Sequence, residues 1–345
     1  MLTPNVVPDF TALRVAVVGD LIVDHYVYAR PTRLSREAPV IVMRHAGEEI
    51  GAGGAANVGR NLWALGAQTL LVGAIGRDGN GRDLLKLLAQ DQLAVDAVQT
   101  VTEFTTPTKT RILGAEPGRT MNQVLRIDRE PEHPLPASVR ERLAEDVRSL
   151  AGRVDAILLS DYGYGAVGPE VAEAALEVKR AGAVLVLDPR RDFDLVRGAT
   201  ALTPNLAELA GATGRSLDEM ADYPGVVTAA TELLNRAEPE LLLVTMGNRG
   251  MALFSDDHPE GVRIRAAGSE SVIDVSGAGD TAAATFSLAL AAGLEPPRAM
   301  RLANTASGVV VMEHGTATCT LSRLRSELPA APQPSVTGVT APLVP

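Results

Sequence analysis

One cysteine, Cys319, in 345 residues leaves no intrachain disulfide framework and no thiolate cluster. Its side chain reads as a small buried hydrophobe. Histidine is nearly as sparse. His25, His45, His133, His258 and His314 are scattered without ligand-like spacing, which argues against a zinc site and leaves a hard, oxygen-bound ion as the expected kind of metal. Basic charge is short as well: 32 Lys and Arg stand against 42 Asp and Glu, a net charge of -10. That balance gives no electrostatic footprint for nucleic acid or an anionic membrane, so an anionic ligand has to be held by a local pocket. No uninterrupted apolar run approaches the ~20 residues of a membrane span. Residues 1–10 lack the basic start and apolar core of a secretion signal, and the expected location is cytoplasmic. No internal repeat is present, which sets solenoids aside.

What the chain does have is apolar material, 46% of its residues, enough for a large core in one large or two ordinary domains. Short Val/Leu/Ile runs at 13–19, 69–73, 156–160, 183–188 and 241–245 read as buried strands bounded by Gly, Asp, Ser or Thr. Helical patterns at 54–65, 81–89, 138–150, 169–180 and 226–237 lie between them. The alternation predicts an α/β fold, a mainly parallel sheet with helices on both faces. Segments 25–45 and 95–128 break the rhythm with short alternating runs such as Thr108-Lys109-Thr110-Arg111-Ile112 and Val124-Leu125-Arg126-Ile127. They are expected outside the main sheet, as a small β lid over ligand sites at the carboxyl ends of the parallel strands. Residues 326–345 are rich in Pro, Ala, Val and Thr without periodicity; they are expected to be a disordered tail behind one folded domain over 1–325.

The stretch richest in chemistry is Asp274-Val275-Ser276-Gly277-Ala278-Gly279-Asp280. Loop-like residues precede it and an Ala-rich run, 281–292, follows, so the motif opens a helix. Gly277 and Gly279 let the backbone come close to a ligand, and the first-turn N–H groups with the positive end of the helix dipole favour an anion there. Asp280 beside that anion is repelled unless it has a task, such as taking a proton from an attacking hydroxyl. A Gly-containing turn followed by a helix-start charge explains the same residues without chemistry, and the motif alone does not choose.

Other stretches carry similar double readings. Gly19-Asp20 ends the first strand and Asp24 follows; carboxylates there suit sugar hydroxyls, although Gly-Asp is also ordinary turn chemistry. Gly51-Ala52-Gly53-Gly54-Ala55-Ala56-Asn57 satisfies the Gly-x-Gly-x-x-Ala dinucleotide pattern, but residues 47–50 are no buried strand. Gly53 and Gly54 point instead to a close backbone approach to a polar ligand, with Asn57 offering amide donor and acceptor, or to a tight loop–helix junction. Asn205 and Glu208 have capping-box spacing, and the same oxygens could orient magnesium-bound water near phosphates. Thr245, Gly247 and Gly250 end a strand in a turn that is either a hairpin or a nucleotide-phosphate contact.

In order along the chain, Gly19-Asp20, the Gly53-Gly54 loop with Asn57, Asp188-Pro189, Asn205 to Glu208, Thr245 to Gly250 and Gly277-Ala278-Gly279-Asp280 resemble the ribokinase family of carbohydrate kinases over residues 13–324. Within it the chain is most similar to the heptose 7-phosphate kinases that feed ADP-heptose synthesis. The carrying segments are residues 33–40, Lys109-Thr110-Arg111, residues 123–128, Leu159-Ser160-Asp161-Tyr162 and Asp274-Val275-Ser276. Two positions depart from the pattern: Tyr164 and Arg190 stand where the family usually has Lys, so charge is lost at the first and kept at the second. Bifunctional members carry a second, nucleotidyltransferase domain; none follows here, and the resemblance implies a stand-alone kinase.

The resemblance implies a ribokinase-like three-layer sandwich with a β lid, a homodimer paired through that lid, ATP with Mg2+, and a monovalent cation as a further candidate cofactor. The implied reaction carries the γ-phosphoryl group of ATP to the anomeric hydroxyl of a sugar phosphate, D-glycero-β-D-manno-heptose 7-phosphate becoming the 1,7-bisphosphate. In that scheme Asp280 orients and deprotonates the hydroxyl, and the N–H groups of Gly277, Ala278 and Gly279 stabilise the transferring group. Asp20, Asp24, Gly53, Gly54 and Asn57 hold the sugar, while Lys109, Arg111 and Arg126 are candidates for its phosphate. Asn205, Glu208, Thr245, Gly247, Gly250 and Asn304 serve ATP, with Asn205 and Glu208 near magnesium through water. Ribose, fructose or a phosphofructose are the alternative acceptors. A non-catalytic sugar- or nucleotide-binding protein is the reading from another class, and retention of Asp280 with both glycines speaks against it.

Overall fold

The computed structural model describes residues 7–115, 121–268 and 272–328. In chain order the elements are β1 Arg14–Leu34, β2 Ile41–Gly54, α1 Ala55–Ala64, β3 Gln68–Gly76, α2 Gly79–Gln90, β4 Ala94–Val101, β5 Thr108–Gly114, β6 Asn122–Arg129, α3 Ala137–Arg148, β7 Ala156–Ser160 and α4 Pro169–Arg180. They continue with β8 Val184–Asp188, β9 Ala201–Leu202, α5 Leu206–Ala212, α6 Tyr223–Ala237, β10 Leu241–Thr245, β11 Met251–Ser255, β12 His258–Ile264, α7 Ala278–Ala291, α8 Pro296–Val310 and α9 Leu321–Glu327.

The main sheet runs β12-β11-β10-β9-β8-β7-β1-β3-β4, parallel from β10 to β4 and antiparallel at β10-β11-β12. Its strands are apolar on both faces because helices cover both. In β1, Val15 and Val17 enter one core and Ala16 and Val18 the other. The first core packs α1, α2, α7 and α8 residues such as Leu62, Leu84, Phe286 and Leu302; the second packs α3, α4 and α6 residues such as Leu143, Val171 and Leu233. The result is the three-layer α/β sandwich expected from the alternation. Ser326 and Glu327 close α9 and do not begin a tail; an amphipathic turn capped by the Thr320 side chain was hidden by the composition that follows. Residues 329–345 lie outside the described part.

β1 is 21 residues long because it serves two sheets. Up to Asp20 it pairs with β3; from Leu21 it pairs antiparallel with β2, and from Val23 in parallel with β5, which pairs with β6. The outer part of β1 with β2, β5 and β6 stands off the main sheet. One expected lid stretch belongs elsewhere: residues 95–101 lie in β4, the edge strand beside β3. An edge strand is covered on one side only, so it shows the same alternation as a lid strand, and periodicity could not separate the two.

β2 meets α1 at Gly54, and this junction brings the lid back to the main sheet. Gly54 has φ 57, and a Cβ there would lie 2.5 Å from the Asp20 carbonyl oxygen, a backbone atom that cannot move aside. Gly54→Ala is therefore expected to destabilise the protein by about 1–3 kcal/mol, from positive-φ strain and displacement of β1. Urea unfolding checks this; an unchanged midpoint would show that the junction relaxes freely.

Candidate active site

Strands β7 and β8 pack against α7, and the side chains of several distant segments meet at its first turn. Gly277 is the N-cap of α7 with φ 77, and its Cβ position lies 2.5 Å from the Asn57 amide nitrogen, so both conformation and space require glycine. Gly279 differs: a Cβ there would meet nothing within 4 Å. The fold's own packing does not explain that glycine. Ala278 turns its N–H back to the Val275 carbonyl at 3.3 Å, so of the expected anion donors its amide is already committed.

Asp280, in the same turn, is 4% exposed. Its Oδ2 accepts from the Asn57 side-chain amide at 2.8 Å and its Oδ1 from the Tyr162 hydroxyl at 2.8 Å. Burial pushes its pKa up to about 6 against the pull of those two bonds, with the Asp24 carboxylate adding to the rise and Lys109 opposing it. A carboxylate of that kind is ionised at neutral pH yet more basic than an ordinary aspartate. Asn57 sits inside the structure and is bound to Asp280, with its own oxygens accepting from Asn61, so it orients the carboxylate and is not placed as a sugar ligand.

Asp20 also departs from its expected part. Its Oδ2 accepts from the backbone N–H groups of Tyr162 and Tyr164, at 2.8 and 3.0 Å, and its Oδ1 from Ala166 at 3.0 Å. Both oxygens are thus committed to the loop after β7, and sugar hydroxyls would find no open face. Burial raises its pKa to about 6 in spite of those donors. The loop it clamps carries Tyr162, the residue that the motifs of the site most clearly missed; its signal was position, directly beyond a buried parallel strand.

The three basic residues expected to meet a phosphate separate. Arg111 is paired with Asp24 and lies over the Tyr26 ring. Gly53 backs the pair, since a Cβ there would lie 2.5 Å from Asp24 Oδ2. Arg126 is on the exposed strand β6 and chelates Asp128 at 2.8 and 2.9 Å. Lys109 alone forms no ion pair among the described residues; its ammonium lies 4.9 Å from the centre of the Tyr162 ring, with a pKa lowered by burial.

On the other side of Asp280, Asn205 and Glu208 form a complete capping box for α5: Asn205 Oδ1 accepts from the Ala207 and Glu208 N–H groups, and Glu208 Oε2 from the Asn205 N–H, all at 2.9 Å. Asp188, whose carboxylate accepts from the Thr203 hydroxyl at 2.7 Å, has its pKa raised by burial and by Glu208 and Asp280. A cleft of about 400 Å³ opens beside Asn205 and Glu208, lined also by Arg190 and Arg191. Thr245 bridges Asn205 across the strand ends. Gly250 closes a β10–β11 hairpin at φ 88, where a Cβ would overlap the Ile264 carbonyl, and Gly247 begins its turn, so the hairpin reading accounts for them. Asn304 donates to the Arg265 carbonyl at 2.9 Å and ties α8 to the segment after β12. No cluster of three or more acidic, His or Cys groups suited to caging a metal occurs among the described residues, and no described helix is long and apolar enough to cross a membrane.

A mainly parallel sheet with a buried aspartate at the start of a glycine-flanked helix defines a sugar-kinase architecture, and comparison with known proteins agrees. Residues 12–323 match the model of the pfkB family carbohydrate kinases, and the chain belongs to that family. It is 41% identical over 320 residues to the D-beta-D-heptose 7-phosphate kinase of Bordetella bronchiseptica, covering 91% of this chain and 96% of that one. It is 40% identical over 314 residues to the bifunctional protein HldE of Pelobacter propionicus, covering 90% of this chain but 62% of the relative. The fold matches Arabidopsis thaliana ribokinase complexed with ribose and ATP, with TM-score 0.70 and 21% identity over 93% of this chain and 100% of that one. It also matches Escherichia coli phosphofructokinase-2, with TM-score 0.73 and 17% identity over 92% and 98%.

The raised pKa of Asp280 has a stability consequence. The native state holds that proton more tightly than the unfolded chain, so the group's contribution is full below about 3.8 and is lost as pH rises through about 6. At pH 8 its buried charge opposes folding by up to about 3 kcal/mol. Asp280→Asn keeps an acceptor for Asn57 and removes the charge; it is expected to stabilise the protein by about 1–3 kcal/mol at pH 8 and by little at pH 4. Denaturant titration at the two values tests this, and a variant less stable at pH 8 would contradict a raised pKa.

Proposed function

We propose that this carbohydrate kinase phosphorylates the anomeric hydroxyl of a sugar phosphate, D-glycero-β-D-manno-heptose 7-phosphate, for ADP-heptose synthesis. The observation that carries the reading is Asp280: buried, pulled by two hydrogen bonds into one orientation, and set in the first turn of α7 where an anion is favoured. Its carboxylate would align the sugar hydroxyl and receive its proton as the oxygen attacks phosphorus. The open space at Gly279 suits the close approach of a phosphoryl group. The names of the relatives supply the heptose, and Lys109, close to Asp280 and free of a carboxylate partner among the described residues, suits an anionic acceptor. Asp24 with Arg111 forms the wall beside it.

The cleft of Arg190, Arg191, Asn205 and Glu208 fits the nucleotide's phosphates. Asn205 and Glu208, the latter with its pKa raised first by burial, fit a divalent cation that keeps water and phosphate oxygens in its shell, as magnesium does. When bound, that ion neutralises triphosphate charge. Leu34, Val40, Ile41, Val124, Leu125 and Ile127 expose apolar surface on the lid, which supports pairing of two copies through it. Use of ATP supports a cytoplasmic location.

A coupled ADP-release assay over heptose 7-phosphate, fructose phosphates, ribose and fructose tests the acceptor. Heptose 7-phosphate is expected to give the highest kcat/KM. Asp280→Asn is expected to lower kcat on the order of 10²–10⁴-fold with ATP affinity nearly unchanged. Lys109→Ala is expected to raise KM for the sugar phosphate about 10–100-fold and KM for ATP far less. Preference for an unphosphorylated sugar, with Lys109→Ala silent, would remove the heptose phosphate and leave the kinase. Sedimentation at working concentration is expected to give a dimer; a monomer would remove the pairing.

A further inference from the structure

The proposed reaction leaves a partly buried tyrosine and a buried aspartate unused, and they are connected. Tyr162 is partly buried; its hydroxyl donates to Asp280 Oδ1 at 2.8 Å, and its ring carries the Lys109 ammonium 4.9 Å from its centre. Its backbone N–H, with those of Tyr164 and Ala166, is gripped by Asp20. Asp20 lies on β1 and Asp280 on α7, so the loop between them is held at one end by a carboxylate and delivers a phenol to another. The next tyrosine of the loop, Tyr164, sends its hydroxyl elsewhere, to Glu130 Oε1 at 2.8 Å.

We infer that Tyr162 is a positioning residue for the catalytic carboxylate: its phenol, set in place by the Asp20 clamp, fixes the orientation in which Asp280 offers its remaining lone pairs to the sugar hydroxyl. With Asn57 on Oδ2 and Tyr162 on Oδ1, each oxygen has one lone pair committed and one direction left, so the carboxylate cannot rotate without breaking a bond in a dry site. The phenol cannot compete for the substrate's proton. Burial and the neighbouring Asp280 raise its own pKa well above the usual range, so it remains a donor throughout the working pH. A donor to the charged form also favours that form, and the bond therefore keeps Asp280 ionised at lower pH than burial alone would allow. The other charged groups acting on Asp280 are Asp24 from β1, Lys109 from β5 and Asp188 from β8; Asn57 from α1 is neutral.

The inference rests on Asp280 as the proton acceptor, and the test separates the two. Tyr162→Phe removes one oxygen and keeps the ring under Lys109. The acid limb of kcat/KM is expected to move up by roughly one pH unit relative to the unsubstituted enzyme, the size of one charge-assisted hydrogen bond. Activity should then fall about fivefold at pH 6 and recover most of the loss by pH 8.5. Tyr164→Phe, which removes a phenol from the same loop, is expected to leave the acid limb in place. An unmoved acid limb in Tyr162→Phe, whether activity is lost evenly at all pH values or not at all, overturns the inference, as does an equal shift in Tyr164→Phe. Retained turnover in Asp280→Asn instead overturns the assignment of Asp280.

Discussion

Removal of water from the Asp280 carboxylate is the constraint around which the other parts of the site are arranged. A buried carboxylate is tolerated only with donors, and the structure supplies them from two distant segments, α1 through Asn57 and the loop after β7 through Tyr162. Each donor is itself held: Asn57 by Asn61 beneath it, Tyr162 by Asp20. Asn61 in turn accepts from Thr281, the residue after Asp280, so the ring of contacts closes on the helix that carries the carboxylate. The same burial that makes Asp280 a better proton acceptor makes it a burden on stability, a balance common where a group is held for chemistry.

The second organising feature is the length of β1. Because one strand crosses from the main sheet into the lid, Asp20 and Asp24 share a rigid segment while acting in different layers, the first on the β7 loop and the second on Arg111 of β5. Gly54, paired with Leu21 of β1, joins β2 of the lid directly to α1. The geometry thus couples the cover of the site to the helix that carries Asn57.

Sequence patterns identified the two-faced core strands and the helices between them because burial on both sides leaves an unbroken apolar run. They failed where the physical cause was not local. β4 and the lid strands share an alternating pattern for different reasons, and the break in hydrophobicity at Asp20 hid the continuity of β1. For the site, Asp280 and the need for glycine at 277 were legible from the small residues and the helix start. Asp20 and Asn57 were noticed as polar groups in a ligand-binding region, but whether such a group meets a ligand or another side chain depends on which segment folds over it. Tyr162 entered only as part of the Leu159-Ser160-Asp161-Tyr162 stretch that carries the family resemblance, with no role attached to it beyond its place after β7.

The amino-acid sequence by itself determined the layer architecture and the position of the glycine-flanked helix start at Gly277-Ala278-Gly279-Asp280 that carries a carboxylate, because periodicity, glycine and a helix start are local properties. The partners of each carboxylate were decided by the tertiary structure alone. Asp280 is separated from Asn57 by 223 positions and from Tyr162 by 118, and Asp24 from Arg111 by 87. No pattern within a window of chain carries pairings of that range; they exist only once the parallel sheet brings the carboxyl ends of its strands to one edge and excludes water from the space between them.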